Sequence, residues 1–298
     1  MIAHQRLTPK VPPRVVVLGA SGVVGRDLIG HLPHLGIGTV GLSSSEIDLC
    51  QADAVEKLEG VVGPGDAMVI ASAITPDRGR DVPTLMRNLR MGEHLGSFFL
   101  RGRCAHVVYI SSDAVYRDGI SLVREGSCRA PAGLHGLMHL VREQMLTHVL
   151  RTADIPLLIL RPTLLYGTHD THNGYGPNRF VRTALANRTI ALFGQGEEKR
   201  DHVYVRDLSR LIGQGLLHGS VGTLNVATGR SRSFLEVAQV VRRVVGDCVE
   251  MQYLPRTTPV THRHFDVSAT LRAFPSFRYV LLEDGLAEVV DGIRVGGG

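Results

Sequence analysis

The chain has 298 residues, a 44% hydrophobic composition and a formal net charge of +5 that is spread over many short clusters. This size suits one large domain, or a domain with a smaller lobe. No apolar run approaches the ~20 residues of a membrane-spanning helix, and no nucleic-acid-binding motif accompanies the basic residues. We therefore expect neither a membrane nor a nucleic-acid partner.

The cysteines and the amino terminus indicate the compartment. The four cysteines are widely scattered and form no Cys-x-x-Cys pair, which is typical of reduced thiols rather than of a disulfide framework. Residues 1–14 lack the apolar core of a signal peptide. We expect a cytoplasmic protein that begins with a short extended segment.

Short apolar runs alternate with helical patterns over the first 160 residues or so. Strand-like runs lie at 14–18, 38–42, 67–71, 106–110 and 156–160, and helical patterns lie near 23–31, 52–60, 82–100 and 132–151. Short strands that are almost entirely apolar are typical of a parallel sheet covered on both faces. The alternation predicts an α/β fold with a doubly wound parallel sheet of the Rossmann type.

The pattern changes after Leu160. Residues 161–202 read as loop-rich, strands are predicted at 202–205 and 223–227 with a helix from about Asp207, and the rest suggests two or three helices and one strand at 250–254. We predict a dinucleotide-binding domain of residues 1–165 plus 203–227. A smaller substrate-binding lobe comprises residues 166–202 plus 228–298, and a ligand cleft lies between the two.

A glycine-rich turn, "VVVLGASGVVG", follows the first strand and opens a helix. Gly19 permits a tight turn, Gly22 lets the backbone approach a pyrophosphate, and Gly25 lets the helix pack closely on the strand. The helix N-terminus favours negative charge. This stretch predicts a dinucleotide site.

The GxxGxxG spacing resembles that of the extended short-chain dehydrogenase/reductase family, also called the NAD-dependent epimerase/dehydratase family, whose members mostly act on nucleotide sugars. Further similar segments are "YISSDAVY" (109–116), "RPTLLYG" (161–167) and "GQGEEKRDHVYVRDL" (194–208). The resemblance implies cofactor contacts from Gly19, Ser21, Gly22, Val23, Val24, Gly25, Asp48, Leu49, Ala71, Ser72, Ala73, His139 and Pro162.

The choice between NAD and NADP stays open. An acidic residue at the end of the second strand binds the adenosine ribose and repels a 2′-phosphate. Here the strand ends in "GLSSSE", in which Ser43, Ser44 and Ser45 either donate to a phosphate or form a polar turn, with Arg26 near enough in sequence to help.

The family's catalytic residues are a Ser or Thr, a Tyr, and a Lys four residues after the Tyr. The resemblance gives Ser112 the first role, but His135 and His139 stand where the Tyr and the Lys belong. In one interpretation His135 is the acid/base, because imidazole titrates near neutrality without the cation that a tyrosine needs beside it. A lysine next to that imidazole lowers its basicity, so the paired replacement is coherent, and His139 bonds a ribose hydroxyl.

Three other interpretations of the histidine pair stay open. In one, catalysis is lost and the protein is a silent dinucleotide- and nucleotide-sugar-binding protein. In another, the helical His-x-x-x-His pair binds a metal, although Gly136 replaces the glutamate of a zincin. In the last, the two histidines simply lie on the helix surface. The loop at 168–176 offers His169, Asp170 and His172 as further acids or bases.

The turn at Ser112 bears on the reaction. By resemblance, 4,6-dehydratases carry a Thr-Asp-Glu turn whose Glu removes a carbon-bound proton. Here the turn is Ser112-Asp113-Ala114, which disfavours dehydration, retains Asp113 as a catalytic candidate, and leaves 4-epimerisation and keto-sugar reduction.

The expected substrate is a nucleotide-diphosphate sugar. Arg200 and Arg263 fall where the family places arginines on the diphosphate, and a guanidinium fork suits phosphate oxygens. Asn173 falls where an asparagine meets the pyrophosphate or the sugar. Asp201 and Asp207 are expected to be structural, as an interlobe pair and a helix N-cap. The family also implies a homodimer through the helices near 82–100 and 132–151.

Overall fold

The computed structural model describes residues 2–101, 104–170, 173–246 and 248–296. The strands are β1 (Ala3–His4), β2 (Val15–Leu18), β3 (Thr39–Leu42), β4 (Ala67–Ile70), β5 (His106–Ile110), β6 (Leu122–Val123), β7 (Leu157–Pro162), β8 (Leu164–Tyr166), β9 (Thr189–Phe193), β10 (Lys199–Arg200), β11 (His202–Tyr204), β12 (Ser220–Val226), β13 (Arg232–Ser233), β14 (Glu250–Leu254) and β15 (His264–Phe265).

The helices are interspersed with these strands. They are α1 (Val23–His31), α2 (Ala54–Val61), α3 (Val82–Phe99), α4 (Leu134–Thr152), α5 (Pro177–Asn187), α6 (Val205–His218), α7 (Phe234–Val245), α8 (Ser268–Ala273) and α9 (Leu282–Gly296). Short 3₁₀ helices lie at Leu32–Leu35 and Asp113–Val115. Within the described ranges, no helix is both long enough and apolar enough to cross a bilayer.

The central sheet has the strand order β1-β12-β7-β5-β4-β2-β3. Its neighbouring strands pair in parallel, apart from β1, which pairs with β12 in the antiparallel sense. Strand β2 lies between β3 and β4, so the strand order reverses at its carboxyl end, where the glycine turn begins. Ligands of such sheets bind at this kind of reversal.

Helices cover both faces of the sheet. Val16 and Leu18 of β2 belong to the apolar core formed with α2, α3 and α4. Val15 and Val17 belong to the core formed with α1 and α6. Because successive side chains of a strand point to opposite faces, this alternation confirms the predicted doubly wound fold.

The region 161–202 holds more regular structure than its sequence predicted. It contains β8, α5, β9 and β10, and the last third of the chain holds β13 and β15 in addition to the expected β14. Strand β8 pairs with β11, and β9 pairs with β14, more than 35 positions away along the chain. Strands this short, with such distant partners, leave little local pattern for sequence reasoning to detect.

The two structural aspartates have other partners than expected. Asp207 is not an N-cap: helix α6 begins at Val205, and the buried Asp207 carboxylate accepts the amide of Val280 at 2.8 Å. Asp201 accepts the amide and the hydroxyl of Thr228, both at 2.9 Å. Both carboxylates therefore anchor distant loops.

A third apolar core lies away from the sheet. It joins α5, α7 and α9 through residues such as Phe180, Val241 and Val289. This core supports the proposed substrate-binding lobe of residues 166–202 plus 228–298, whose boundaries stay a prediction.

Helix α4 is held on the sheet by a buried ionic network. Glu143, 1% exposed, accepts the hydroxyl of Ser111 at 2.6 Å and is bonded by Arg161 through Nε at 2.8 Å and Nη2 at 2.6 Å. Arg161 also donates to the hydroxyl of Tyr116, which donates to Asn225 at 2.6 Å. The network links α4 with β5, β7 and β12.

We expect Glu143→Gln to lower the free energy of unfolding by about 3 kcal/mol, because removing one partner of a buried ion pair leaves the other charge uncompensated. Urea unfolding measures this change. The exposed Glu56 on α2 supplies the control: Glu56→Gln should change stability by less than about 0.5 kcal/mol. Equal effects of the two substitutions would contradict a central role for the network.

Candidate active site

The glycine turn has the geometry that a dinucleotide requires. Gly19 has φ +88°, and a Cβ there would lie 2.8 Å from the amide nitrogen of Ser72. A Cβ on Gly25 would lie 2.2 Å from the carbonyl oxygen of Gly19. Gly22 is the N-cap of α1, and no side chain caps the helix there. The first-turn N–H groups of α1 are therefore available to an anion.

The segment after β4 borders this turn. Ala71 and Ser72 lie against Gly19, and the Ser72 hydroxyl is buried without a hydrogen-bond partner among the described residues. A buried hydroxyl normally has a partner, so an additional polar group is expected here. Together with the uncapped helix, these residues fit a bound dinucleotide.

On the adenosine side, the polar turn after β3 is closed by its own carboxylate. Glu46 accepts the amide of Ser43 at 2.8 Å and also its hydroxyl, while Ser43 and Ser45 share a hydrogen bond of 2.6 Å. The Asp48 carboxylate accepts the amide of Cys50 at 3.0 Å. The three-serine segment is thus a turn that presents a negative charge.

Helix α4 and the Ser112 turn meet at a glycine. A Cβ on Gly136 would lie 2.1 Å from the carbonyl oxygen of Ala114. Ser112 precedes this turn and its Oγ accepts the amide of Ala114 at 3.1 Å, so the hydroxyl hydrogen is still available for donation. The close contact at Gly136 brings His135 and the Ser112 turn to one edge of the sheet.

The two histidines of α4 are neighbours. Their ring centroids lie 4.7 Å apart, and the ring planes are perpendicular. His139 is buried, and its Nδ1 is 2.9 Å from the hydroxyl of Tyr109 on β5. Burial lowers the pKa of His139 well below its usual value, and the nearby His135 and Arg142 add to that effect.

Asp113 is paired with one of the predicted substrate arginines. Arg263 donates through Nη1 to the Asp113 carboxylate at 3.2 Å and through Nη2 to Asp118 at 3.1 Å. Burial raises the pKa of Asp113, whereas Arg263 opposes that rise. Sequence-distant Arg263 is therefore brought to the Ser112 turn.

Arg200 is also engaged by a carboxylate. It forms an ion pair with Glu198 and donates to the carbonyl of Thr261. The other oxygen of Glu198 accepts Nη1 of Arg256 at 2.5 Å. One carboxylate thus bridges two guanidinium groups, an arrangement that a diphosphate also satisfies.

Two of the predicted loop residues bond to side chains of α5. Asn173 has φ +46°, and its side chain accepts Arg182 Nη1 at 2.9 Å. The Asp170 carboxylate accepts Nδ2 of the Asn178 side chain at 2.5 Å. His172 lies outside the described residues, and the described part of the chain holds no cluster of three or more His, Cys, Asp or Glu side chains suited to a metal ion.

The sequence motifs gave no role at this site to four residues: Tyr109, Gly136, Arg142 and Arg256. The buried Arg142 guanidinium lies 5.2 Å from the Tyr109 ring centroid and donates to the carbonyl of Ser72 at 2.8 Å. Its Nε and Nη2 atoms have no partner among the described residues. Arg142 follows His135 by seven residues, which is about two helical turns. This spacing places the two residues on the same face of α4 and could have identified Arg142 from the sequence.

The fold and the glycine turn define a dinucleotide-binding α/β protein. The family model "NAD dependent epimerase/dehydratase family" matches residues 15–227, and the chain belongs to this family. A curated relative, the ADP-L-glycero-D-manno-heptose-6-epimerase of Alkalilimnicola ehrlichii, is 27% identical over 269 residues, which cover 81% of this chain and 83% of that protein.

Solved structures share the fold. A GDP-L-fucose synthetase from Naegleria fowleri superposes with a TM-score of 0.85 at 17% identity, covering 99% of this chain and 97% of that one. The UDP-glucose 4-epimerase of Thermus thermophilus, solved with NAD, gives a TM-score of 0.81 at 19% identity, covering 94% and 99%.

Gly136→Ala should lower the free energy of unfolding by about 1–3 kcal/mol, because the added methyl group overpacks the contact with Ala114. Chemical denaturation measures the loss. The matched control is Gly133→Ala at the N-cap of α4, where an added Cβ meets nothing within 4 Å. Should Gly136→Ala be as mild as this control, the close contact does not fix the turn.

Proposed function

We propose that this chain is an NAD(P)-dependent enzyme that epimerises a nucleotide sugar or reduces a keto-sugar nucleotide, with Ser112 and His135 at the reacting carbon. The observation that carries the proposal is the Gly136 contact, which holds the Ser112 turn against the first turn of α4. His135 immediately precedes Gly136, and we assign its imidazole the role of the family's phenol.

No nearby tyrosine takes over the missing role. Burial raises the pKa of Tyr109 to about 12. Tyr116 is buried, its pKa is raised by burial, and its hydroxyl is bonded to Asn225 and Arg161. Both phenols stay protonated near neutral pH. This leaves the imidazole of His135 as the acid/base candidate on α4.

Ser112 and His135 have different roles at the sugar hydroxyl. Bound NAD(P) supplies the hydride acceptor and donor. Ser112 bonds and orients the hydroxyl, and His135 takes its proton during oxidation or returns it during reduction. Imidazole has an ordinary pKa near 6.5, and a general base works best when its pKa is close to the working pH.

The relatives support a nucleotide-sugar substrate and a nicotinamide cofactor. One curated relative is named for an ADP-heptose, and the Thermus thermophilus enzyme was solved with NAD. A second structure of the Naegleria fowleri enzyme was solved with NADP bound. Their chemistry suits the site proposed here, in which the glycine turn holds the dinucleotide.

The substrate diphosphate is assigned to Arg200 and Arg263. Both arginines already pair with carboxylates, so we infer that a diphosphate competes with Glu198 and Asp118 for the guanidinium groups. Ala114 supplies no group that removes a carbon-bound proton, which argues against dehydration. The substrate role of Asn173, homodimerisation through α3 and α4, and a cytoplasmic location stay predictions.

A silent binding protein is the second candidate. It is favoured by the burial of His139, which lowers its pKa and keeps the lysine position without a cation. Such a protein binds the dinucleotide and the nucleotide sugar without hydride transfer. A panel of nucleotide sugars separates the two candidates, because NMR of the products detects epimerisation, which leaves the dinucleotide unchanged overall, and absorbance at 340 nm detects net reduction.

His135→Ala should reduce kcat on the order of 10²–10⁴-fold, the usual contribution of a general acid/base. The rate of wild-type oxidation should rise with pH through a midpoint in the imidazole range rather than the phenol range, because the neutral imidazole is the active form. Product formation measures both effects, followed by NMR for epimerisation and by absorbance at 340 nm for reduction.

The exposed His148 on the same helix provides the control for this substitution. His148→Ala should leave kcat and the pH profile unchanged. Full activity of His135→Ala, or a midpoint that stays unchanged in that variant, would remove His135 from the mechanism.

Glu46→Gln should raise the affinity for NADP while leaving the affinity for NAD nearly unchanged, because the Glu46 carboxylate closes the turn after β3 where an adenosine ribose binds. Fluorescence titration with NADPH and NADH measures both affinities. Glu250→Gln, an exposed change on β14, is the control. A parallel change for both dinucleotides would show that Glu46 does not discriminate between them.

A further inference from the structure

Tyr109 and His139 form a buried hydrogen-bonded pair between β5 and α4. Tyr109 is 1% exposed on β5 and His139 is 5% exposed on α4, and the Tyr109 hydroxyl lies 2.9 Å from His139 Nδ1. Among the described residues, the phenol has no other hydrogen-bond partner, and His139 has none besides the phenol. Each group therefore depends on the other for a hydrogen bond.

The direction of this hydrogen bond follows from the phenol. Burial raises the pKa of Tyr109 to about 12, so the hydroxyl keeps its proton throughout the neutral range. A buried O–H must donate, and Nδ1 of His139 is the acceptor within reach. Nδ1 therefore carries a lone pair, and the single proton of a neutral imidazole is on Nε2.

The surroundings of His139 oppose a positive charge. The Arg142 guanidinium lies over the Tyr109 ring, with its carbon 5.2 Å from the ring centroid, and His135 is a second basic group at 4.7 Å between ring centroids. The Glu143 carboxylate, one turn away, accepts hydrogen bonds from Ser111 and Arg161. In the described structure no carboxylate bonds to His139.

We propose that Tyr109 is a positioning residue that holds His139 as the neutral Nε2–H tautomer, so that His139 offers the cofactor a hydrogen-bond donor without a charge. The inference about the cofactor rests on the proposed function, whereas the tautomer does not. The same hydrogen bond also fixes the ring of His139 at right angles to that of His135.

This arrangement separates two roles that one lysine performs in the family. A lysine bonds the ribose and also lowers the pKa of a neighbouring acid by its charge. A neutral His139 can bond the ribose, but it does not lower the pKa of a neighbouring acid. A fixed positive charge persists one turn further along α4, on the buried Arg142, which is bonded to the backbone of Ser72 rather than to a carboxylate.

Long-range ¹⁵N–¹H correlation spectra of ¹⁵N-histidine-labelled protein without cofactor test the tautomer. The His139 signals, assigned from their loss in His139→Gln, should show a protonated Nε2 and a bare Nδ1, and should not titrate between pH 5 and 8. A protonated Nδ1, or titration within that range, would overturn the proposal.

Tyr109→Phe should release the constraint, giving His139 a mixture of tautomers. Tyr204→Phe, which removes a buried hydroxyl that donates to Glu288 and does not contact His139, should leave the His139 signals unchanged, and circular dichroism checks that both variants fold. If Tyr109→Phe leaves the tautomer unchanged while it folds, Tyr109 is not the residue that sets it.

The role of Tyr109 in cofactor binding is tested separately, by measuring NADH affinity. Loss of an oriented hydrogen bond should weaken NADH binding in Tyr109→Phe on the order of tenfold, and Tyr204→Phe should bind NADH normally. Unchanged NADH affinity would overturn the role toward the cofactor. Absence of nucleotide-sugar turnover would instead count against the proposed function and leave the tautomer result standing.

Discussion

The buried ion pair between Glu143 and Arg161 is the constraint on which the candidate site depends. It joins helix α4 to the sheet at β7, and Glu143 also receives the Ser111 hydroxyl at the end of β5. Two charges so deeply buried are tolerated because each is bonded more than once. The pair fixes the depth and rotation of α4, and the positions of His135 and His139 follow from that orientation.

Most of the fold was predictable because its signals are local. The strands around the glycine turn are short apolar runs, and helices α1 to α4 lie within about two residues of their predicted limits, since strand and helix periods differ clearly. Strands β6, β8, β9, β10, β13 and β15 were missed. Apart from the five-residue β9, each has two or three residues, and the partner of each lies far along the chain, so that its conformation is set by tertiary pairing.

The candidate site was only partly predictable for the same reason. Ser112, His135 and His139 lie in stretches whose spacing resembles a family motif. The partner of His139 comes from β5, and Glu198 and Arg256 meet Arg200 only after folding. Tyr109 was read as part of an apolar strand, because nothing local distinguishes a hydroxyl that packs in the core from one that orients a neighbouring ring.

His135 and His139 stand where the resemblance places a tyrosine and a lysine, and this difference moves the positive charge on α4. A phenol that acts as a base needs a cation close by, because its ordinary pKa is about 10. An imidazole needs none, and a cation beside it makes it a weaker base. Burial of His139 lowers its pKa, so the residue four positions after His135 is neutral. The fixed charge lies instead on Arg142, which donates to the carbonyl of Ser72 and lies over the Tyr109 ring. Under the proposed function, a neutral donor at His139 therefore bonds the cofactor without placing a positive charge beside His135.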